Sequence, residues 1–158
     1  MYLALAGASA VLLLCDPDLV SSRIDYRLVF AGLTLFFLLG VIDDFANVHG
    51  LLKLAVQVGA AGLLVGGGAI VPVGSMGWSA TPFVQTAATV LSIGWLVFAA
   101  NAVNLSDGMD GLAGTISLGA AASLAAIGLV GGAFLPAAVA LVVSGVVLGF
   151  LLFNAPPA

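Results

Sequence analysis

Charge is what this sequence has least of. Only 6% of its 158 residues are Asp, Glu, Lys or Arg, against about 25% in soluble domains, while 63% are hydrophobic. Glutamate is absent altogether: seven Asp face Arg23, Arg27 and Lys53, for a net charge of -4. With so few cations there is no basic patch for nucleic acid, and no nucleic-acid partner is expected. Cysteine occurs once, as Cys15 in an apolar run, so neither a disulfide framework nor a thiolate ligand set can be drawn. Histidine also occurs once, and His49 without a second ligand makes no zinc site. No Lys or Arg precedes the apolar residues 1–15, which therefore do not read as a signal peptide.

The charges present fall in three windows, 16–27, 43–53 and 107–110, and residues 54–106 and 111–158 contain none. A bilayer-spanning helix needs roughly 20 apolar residues, and a charge at its centre costs about 2.5 to 3.5 kcal/mol on insertion scales. Confinement of this kind is what membrane helices joined by polar loops require. The runs are continuously apolar rather than alternating, which selects helices over a barrel. The expected fold is an all-α, polytopic membrane helix bundle of about six helices, over 1–15, 27–42, 51–66, 83–100, 112–130 and 134–153. Linkers rich in Pro, Gly and Asp separate them, and residues 69–73 read as a brief extended segment at the membrane edge. Abundant small residues over 113–149 predict close helix packing.

Two helices separate the polar window 43–53 from 101–111, and two more separate that from residue 154. All three windows are therefore expected on one membrane face, where a site can be assembled from distant parts of the chain. Arg23 and Arg27 lie on the opposite face from Lys53, and that count alone would put the polar windows outside.

Two motifs there can carry chemistry. In Gly40-Val41-Ile42-Asp43-Asp44 two carboxylates end an apolar helix, where the helix dipole disfavours negative charge by some tenths of a kcal/mol each. A divalent cation, Lys53, or a proton shared by the pair would compensate; a solvated loop start, helped by Asn47 and Gly50, is the competing reading. In the second motif, Asn101-Ala102-Val103-Asn104-Leu105-Ser106-Asp107-Gly108-Met109-Asp110-Gly111-Leu112-Ala113, four polar residues stand three apart. At about 100° per residue the ends of that series point in opposite directions on one helix. Gly108 and Gly111 therefore predict a break, with Asn101, Asn104, Asp107 and Asp110 around a pocket at the membrane edge. A plain Gly-Asp turn explains the two Asp-Gly pairs but not the two Asn, which need partners at the end of an apolar helix. The spacing is not that of an EF-hand, and the chain lacks the Ala-Arg and downstream Asp residues of CDP-alcohol phosphotransferases.

These strings, with Lys53 nine residues after Asp44 and the closing Phe153-Asn154-Ala155-Pro156-Pro157-Ala158, resemble the polyprenyl-phosphate N-acetylhexosamine-1-phosphate transferases, glycosyltransferase family 4. The resemblance runs through nearly the whole chain in order and spacing, and the N-x-x-N-x-x-D-G-x-D-G-L-A string is highly specific. It implies a Mg2+-dependent (or Mn2+-dependent) enzyme of the bacterial inner membrane, with its site on the cytoplasmic face. There a polyprenyl phosphate (undecaprenyl phosphate) would attack the β-phosphorus of a UDP-sugar, releasing UMP, for cell-envelope polysaccharide synthesis. By matching positions, Asp43 would deprotonate or orient the lipid phosphate with Asp44 beside it, and Asn104 would help hold the metal. Asp110 would hydrogen-bond the uracil, Asn101 and Asp107 would shape that pocket, Lys53 would meet phosphate charge, and Asn47 would line the nucleotide site. A homodimer is compatible with the resemblance.

Members of that family also carry an upstream helix with a basic loop, a third Asp in an F-M-G-D segment and a later histidine-bearing loop, none of which occurs in these 158 residues. The chain is therefore expected to be one transmembrane domain, residues 1–158, forming the central part of a longer enzyme and inactive alone. The compact stretch between Asp44 and Asn101 and the 66–82 loop favour the GlcNAc-1-phosphate branch, with the phospho-MurNAc-pentapeptide translocases as the alternative. A transporter or scaffold using Asp as an ion site would instead place ionisable residues at mid-membrane.

Overall fold

The computed structural model of the chain describes residues 24–71, 73, 77, 79, 81–106, 108 and 111–154. Five helices make up that part: α1 (Tyr26–Ala46), α2 (Gly50–Gly66), α3 (Pro82–Ser106), α4 (Leu112–Val130) and α5 (Phe134–Asn154). They correspond to five of the six expected apolar segments; the other, 1–15, lies outside the described residues. α1, α3, α4 and α5 are each long and apolar enough to cross a bilayer, and α2 is apolar but shorter. Its 17 residues span about 25 Å. No strand occurs among the described residues. Large apolar side chains such as Phe83, Trp95, Phe98 and Leu152 stand exposed, a surface that water would penalise and lipid does not. The chain is thus an all-α, multi-pass membrane protein.

The helices group into two compact units. One comprises α1, α2 and α3 as far as Asn101; the other runs from Ala102 and comprises the end of α3, α4 and α5.

In the first unit α1 and α2 form an antiparallel hairpin. Asp25 caps α1, its carboxylate accepting the N–H groups of Arg27 and Leu28 at 3.0 and 3.4 Å, as N-cap Asp residues do. The Asp25 N–H in turn donates to the Gly67 carbonyl just past α2, at 3.0 Å, which ties the two far ends together. Gly32 lets the helices touch: a Cβ there would stand 2.8 Å from both the Ala60 carbonyl oxygen and Leu64 Cγ. Ala60 and Ala61 are fully buried behind it. Without water to drive apolar burial, helices in lipid gain chiefly from this close van der Waals approach.

Thr81 Oγ1 accepts the Val84 N–H at 3.3 Å, and Pro82 occupies the first helical position of α3, where its missing N–H costs nothing. The extended segment expected over 69–73 begins instead as a tight turn, with the Ile70 N–H on the Gly68 carbonyl. The Val71 N–H then reaches the buried Ser92 Oγ of α3 at 3.0 Å, fastening the connection to that helix.

In the second unit α4 and α5 are a tight hairpin of small residues. The Ala133 N–H bonds the Gly128 carbonyl and the Gly132 N–H that of Leu129, with Gly132 at φ 71°, a left-handed helix stop that favours glycine. Ala121, Ala125, Ala137 and Ala140 form the buried seam, and a Cβ on Gly128 would lie 3.0 Å from that of Ala137. The small-residue packing expected over 113–149 is what holds this unit.

Candidate active site at the α1–α2 turn

The last turn of α1 carries Asp43 and Asp44. The helix stops because Asn47 adopts a left-handed conformation, φ 45° and ψ 68°, and its N–H donates to the Asp43 carbonyl at 3.1 Å. Asn tolerates this region better than other residues with a side chain. The Val48 N–H then donates to Asp43 Oδ1 at 3.1 Å. His49 opens α2, its Nδ1 accepting the Leu51 N–H at 3.4 Å, so the lone histidine is a helix cap. Asn47→Gly keeps the left-handed turn and should leave the melting temperature unchanged. Asn47→Val should lower stability by about 1 to 2 kcal/mol, read by thermal unfolding in detergent.

Lys53, on the first turn of α2, reaches back to Asp43. Its Nζ lies 2.6 Å from Oδ2, and the two side chains are only 19% and 21% exposed. Lys53, one of the compensators expected for the carboxylate pair, is in place for Asp43. Both oxygens of Asp43 are thus engaged, one by a backbone N–H and one by an ammonium. An ammonium carries three donors, and Lys53 directs one of them to Asp43. Asp44 is exposed, and no hydrogen bond or ion pair is formed by its carboxylate among the described residues.

One turn further along α2, in the same unit, is a contact that the sequence alone does not show. Gln57, four residues after Lys53 and hence on the same face of α2, is 4% exposed. It pairs reciprocally with Asn101 of α3: Asn101 Nδ2 donates to Gln57 Oε1 at 2.8 Å and Gln57 Nε2 donates to Asn101 Oδ1 at 3.3 Å. Asn101 Nδ2 also donates to the Val97 carbonyl at 2.8 Å. The available signal was an amide in an otherwise apolar helix, which must find a partner in lipid.

α3 continues as regular helix through Asn104 to Ser106, beyond the expected end at 100. Asn104, exposed on the last turn, belongs to the second unit. Asp107 and Asp110 lie outside the described residues. Gly111, at φ 74°, precedes α4, so the helix interruption falls where the glycines placed it.

No three His, Cys, Asp or Glu side chains gather among the described residues. Among the described residues of the first unit, the exposed Asp44 carboxylate is a hard oxygen donor. Mg2+ takes such hard donors, usually one or two from protein with water and substrate phosphate completing the octahedron. The donor chemistry fits that ion.

Fold and site together define a multi-pass helical membrane protein with an Asp43–Lys53 ion pair at the mouth of the α1–α2 hairpin. Residues 26–158 match the model of Glycosyl transferase family 4, and the chain belongs to that family. It is 32% identical over 139 residues to a probable undecaprenyl-phosphate N-acetylglucosaminyl 1-phosphate transferase of Bacillus subtilis, covering 82% of this chain and 37% of the relative. It is 33% identical over 172 residues to the decaprenyl-phosphate N-acetylglucosaminephosphotransferase of Mycolicibacterium smegmatis, covering 98% of this chain and 41% of the relative. A phospho-N-acetylmuramoyl-pentapeptide-transferase of Shouchella clausii is 35% identical over 138 residues, covering 77% and 41%. The chain thus spans about two fifths of the length of these curated relatives. No solved structure matches it significantly.

Proposed function

We propose that this chain is the part of a polyprenyl-phosphate sugar-1-phosphate transferase that brings the lipid phosphate and the nucleotide diphosphate together, with UDP-GlcNAc as the donor. An oxygen of the lipid phosphate attacks the β-phosphorus of the UDP-sugar. The bond from that phosphorus to the bridging oxygen breaks, and the oxygen leaves on UMP, so that a lipid-linked sugar diphosphate remains. Phosphoryl transfer depends on positioning and charge neutralisation more than on covalent chemistry by the protein. Lys53, held by Asp43, meets the phosphate charge at the membrane edge. Asp43 takes the proton of the lipid phosphate or orients it. Asn104 would help hold Mg2+, which supplies neutralisation of the pyrophosphate charge. Asp110 would hydrogen-bond the uracil and Asp107 would shape its pocket, as the resemblance implies, with the site facing the cytoplasm.

The half-buried Asp43–Lys53 pair, in a chain that belongs to this family, carries the proposal. The pentapeptide-transferase relative supports a second reading, in which UDP-MurNAc-pentapeptide is the donor. The test is to purify the complete protein in detergent and supply undecaprenyl phosphate with either nucleotide sugar. Mg2+-dependent UMP release with UDP-GlcNAc, abolished by EDTA and restored by excess Mg2+, is the expected result. Preference for the pentapeptide donor would move the assignment to the second reading, and no UMP from either would overturn both.

A further inference from the structure

We propose that Gln57 is a positioning residue for nucleotide-sugar binding, acting through the amide of Asn101; the inference rests on the transferase reading above. Gln57 is the one amide within α2, whose surrounding sequence Leu54-Ala55-Val56 and Val58-Gly59-Ala60-Ala61 is apolar. At 4% exposure its carboxamide is out of reach of solvent, and lipid would leave it unsatisfied. A buried amide held only for packing has cheaper replacements, since Leu fills a similar volume without polar atoms.

The hydrogen bonds show what the amide does. Both N–H groups of Asn101 are used, one on Gln57 Oε1 at 2.8 Å and one on the Val97 carbonyl at 2.8 Å. The Asn101 oxygen accepts from Gln57 Nε2 at 3.3 Å. Two planar amides joined by a donor and an acceptor each fix both translation and rotation, which a single bond or an apolar contact does not. The pair therefore sets the register of α3 against α2 at one point. It also points the remaining lone pair of Asn101 Oδ1 in one direction.

Position on α2 makes this pairing useful. Lys53 and Gln57 are four residues apart and share a face. Lys53 fastens Asp43 of α1, and Gln57 fastens Asn101 of α3. One face of one short helix thus aligns two polar groups that lie 58 positions apart in sequence. No hydrogen bond joins the pair to the Asp43–Lys53 bridge among the described residues, and Asn101 is the group that the family resemblance sets at the nucleotide pocket, so loss of the pair should weaken donor binding and leave the transfer step largely intact.

The experiment is steady-state kinetics of the complete protein with UDP-GlcNAc, undecaprenyl phosphate and Mg2+. Gln57→Leu is expected to raise the KM for UDP-GlcNAc roughly tenfold, the size of effect of leaving a buried amide unpaired, while kcat stays within about threefold. In an Asn101→Leu background, adding Gln57→Leu should change KM little further, because both act through one pair. Gln57→Asn shortens the side chain and should also raise KM; Gln57→Asn with Asn101→Gln moves the methylene across the pair and should bring KM back towards wild type. This rescue can be read even if Gln57→Leu does not accumulate. An unchanged KM in Gln57→Leu and Gln57→Asn, an additive effect with Asn101→Leu, or absence of rescue by the exchanged pair, with wild type active, would overturn the inference alone. Failure of the wild type to release UMP would overturn the transferase reading and this inference with it.

Discussion

Replacing Asp43 by Asn in the complete protein should lower sugar-phosphate transfer by about 10²- to 10⁴-fold, the range typical of a positioned acid–base group, with the protein still reaching the membrane. The substitution is nearly isosteric. The amide oxygen of the new side chain can still accept the Val48 N–H, now bonded to the carboxylate at 3.1 Å, so the turn survives. What is lost is the negative charge that holds Lys53 at 2.6 Å and any capacity to accept a proton as a carboxylate. Membrane expression with transfer within about threefold of wild type would remove Asp43 from the chemistry.

The pH profile separates its two roles. A phosphate monoester loses its second proton near pH 6, so at high pH the lipid phosphate needs no base. If Asp43 takes that proton, the defect of Asp43→Asn shrinks as pH rises from about 6 to 9. If it only orients Lys53 and the phosphate, the defect stays level across the range. Lys53→Met should give a defect of the same order, and the double variant should be much less impaired than the product of the two, because they form one pair.

Gly32→Val should cause the largest loss of stability of any single glycine substitution within α1 or α2. A Cβ at Gly32 would stand 2.8 Å from a backbone carbonyl oxygen, that of Ala60, as well as 2.8 Å from Leu64 Cγ. Leu64 can turn aside, but the carbonyl moves only if α2 moves. Overpacking of this kind costs about 1 to 3 kcal/mol, and a displaced α2 carries Lys53 away from Asp43, so activity falls as well. Gly59→Ala, on the same hairpin, is the control: nothing lies within 4 Å of its added Cβ, and its stability should match or slightly exceed wild type. Thermal unfolding in detergent checks both, and a Gly32→Val melting temperature within about 2 °C of wild type would show that the helices are not held in close contact.

The two substitutions show where sequence reading stops. The chain has 21 glycines, and composition alone marks them all as compatible with close packing. Only the structure separates Gly32, Gly114 and Gly128, which face a neighbour closely, from Gly40, Gly59 and Gly62, which face nothing within 4 Å. Lys53 was legible as one of three ways to offset the carboxylates at the end of α1, because helix-end electrostatics demand some compensation. Which one serves depended on the turn at Asn47, whose left-handed geometry directs α2 back alongside α1. The role of Gln57 is not legible in the sequence because its partner lies 44 residues away, and periodicity carries no information about pairings at that distance.

By itself, then, the sequence determined the solvent and the described helices. The reason is energetic and local: charge and unpaired backbone are so costly in lipid that the position of every Asp, Lys and long apolar run is constrained one segment at a time. Tertiary structure alone decided which polar groups meet. Asp43 with Lys53 follows from the register of α1 against α2, which the fit of Gly32 against Ala60 and Leu64 sets, and Gln57 with Asn101 from the approach of α3 to α2, contacts that no single segment encodes.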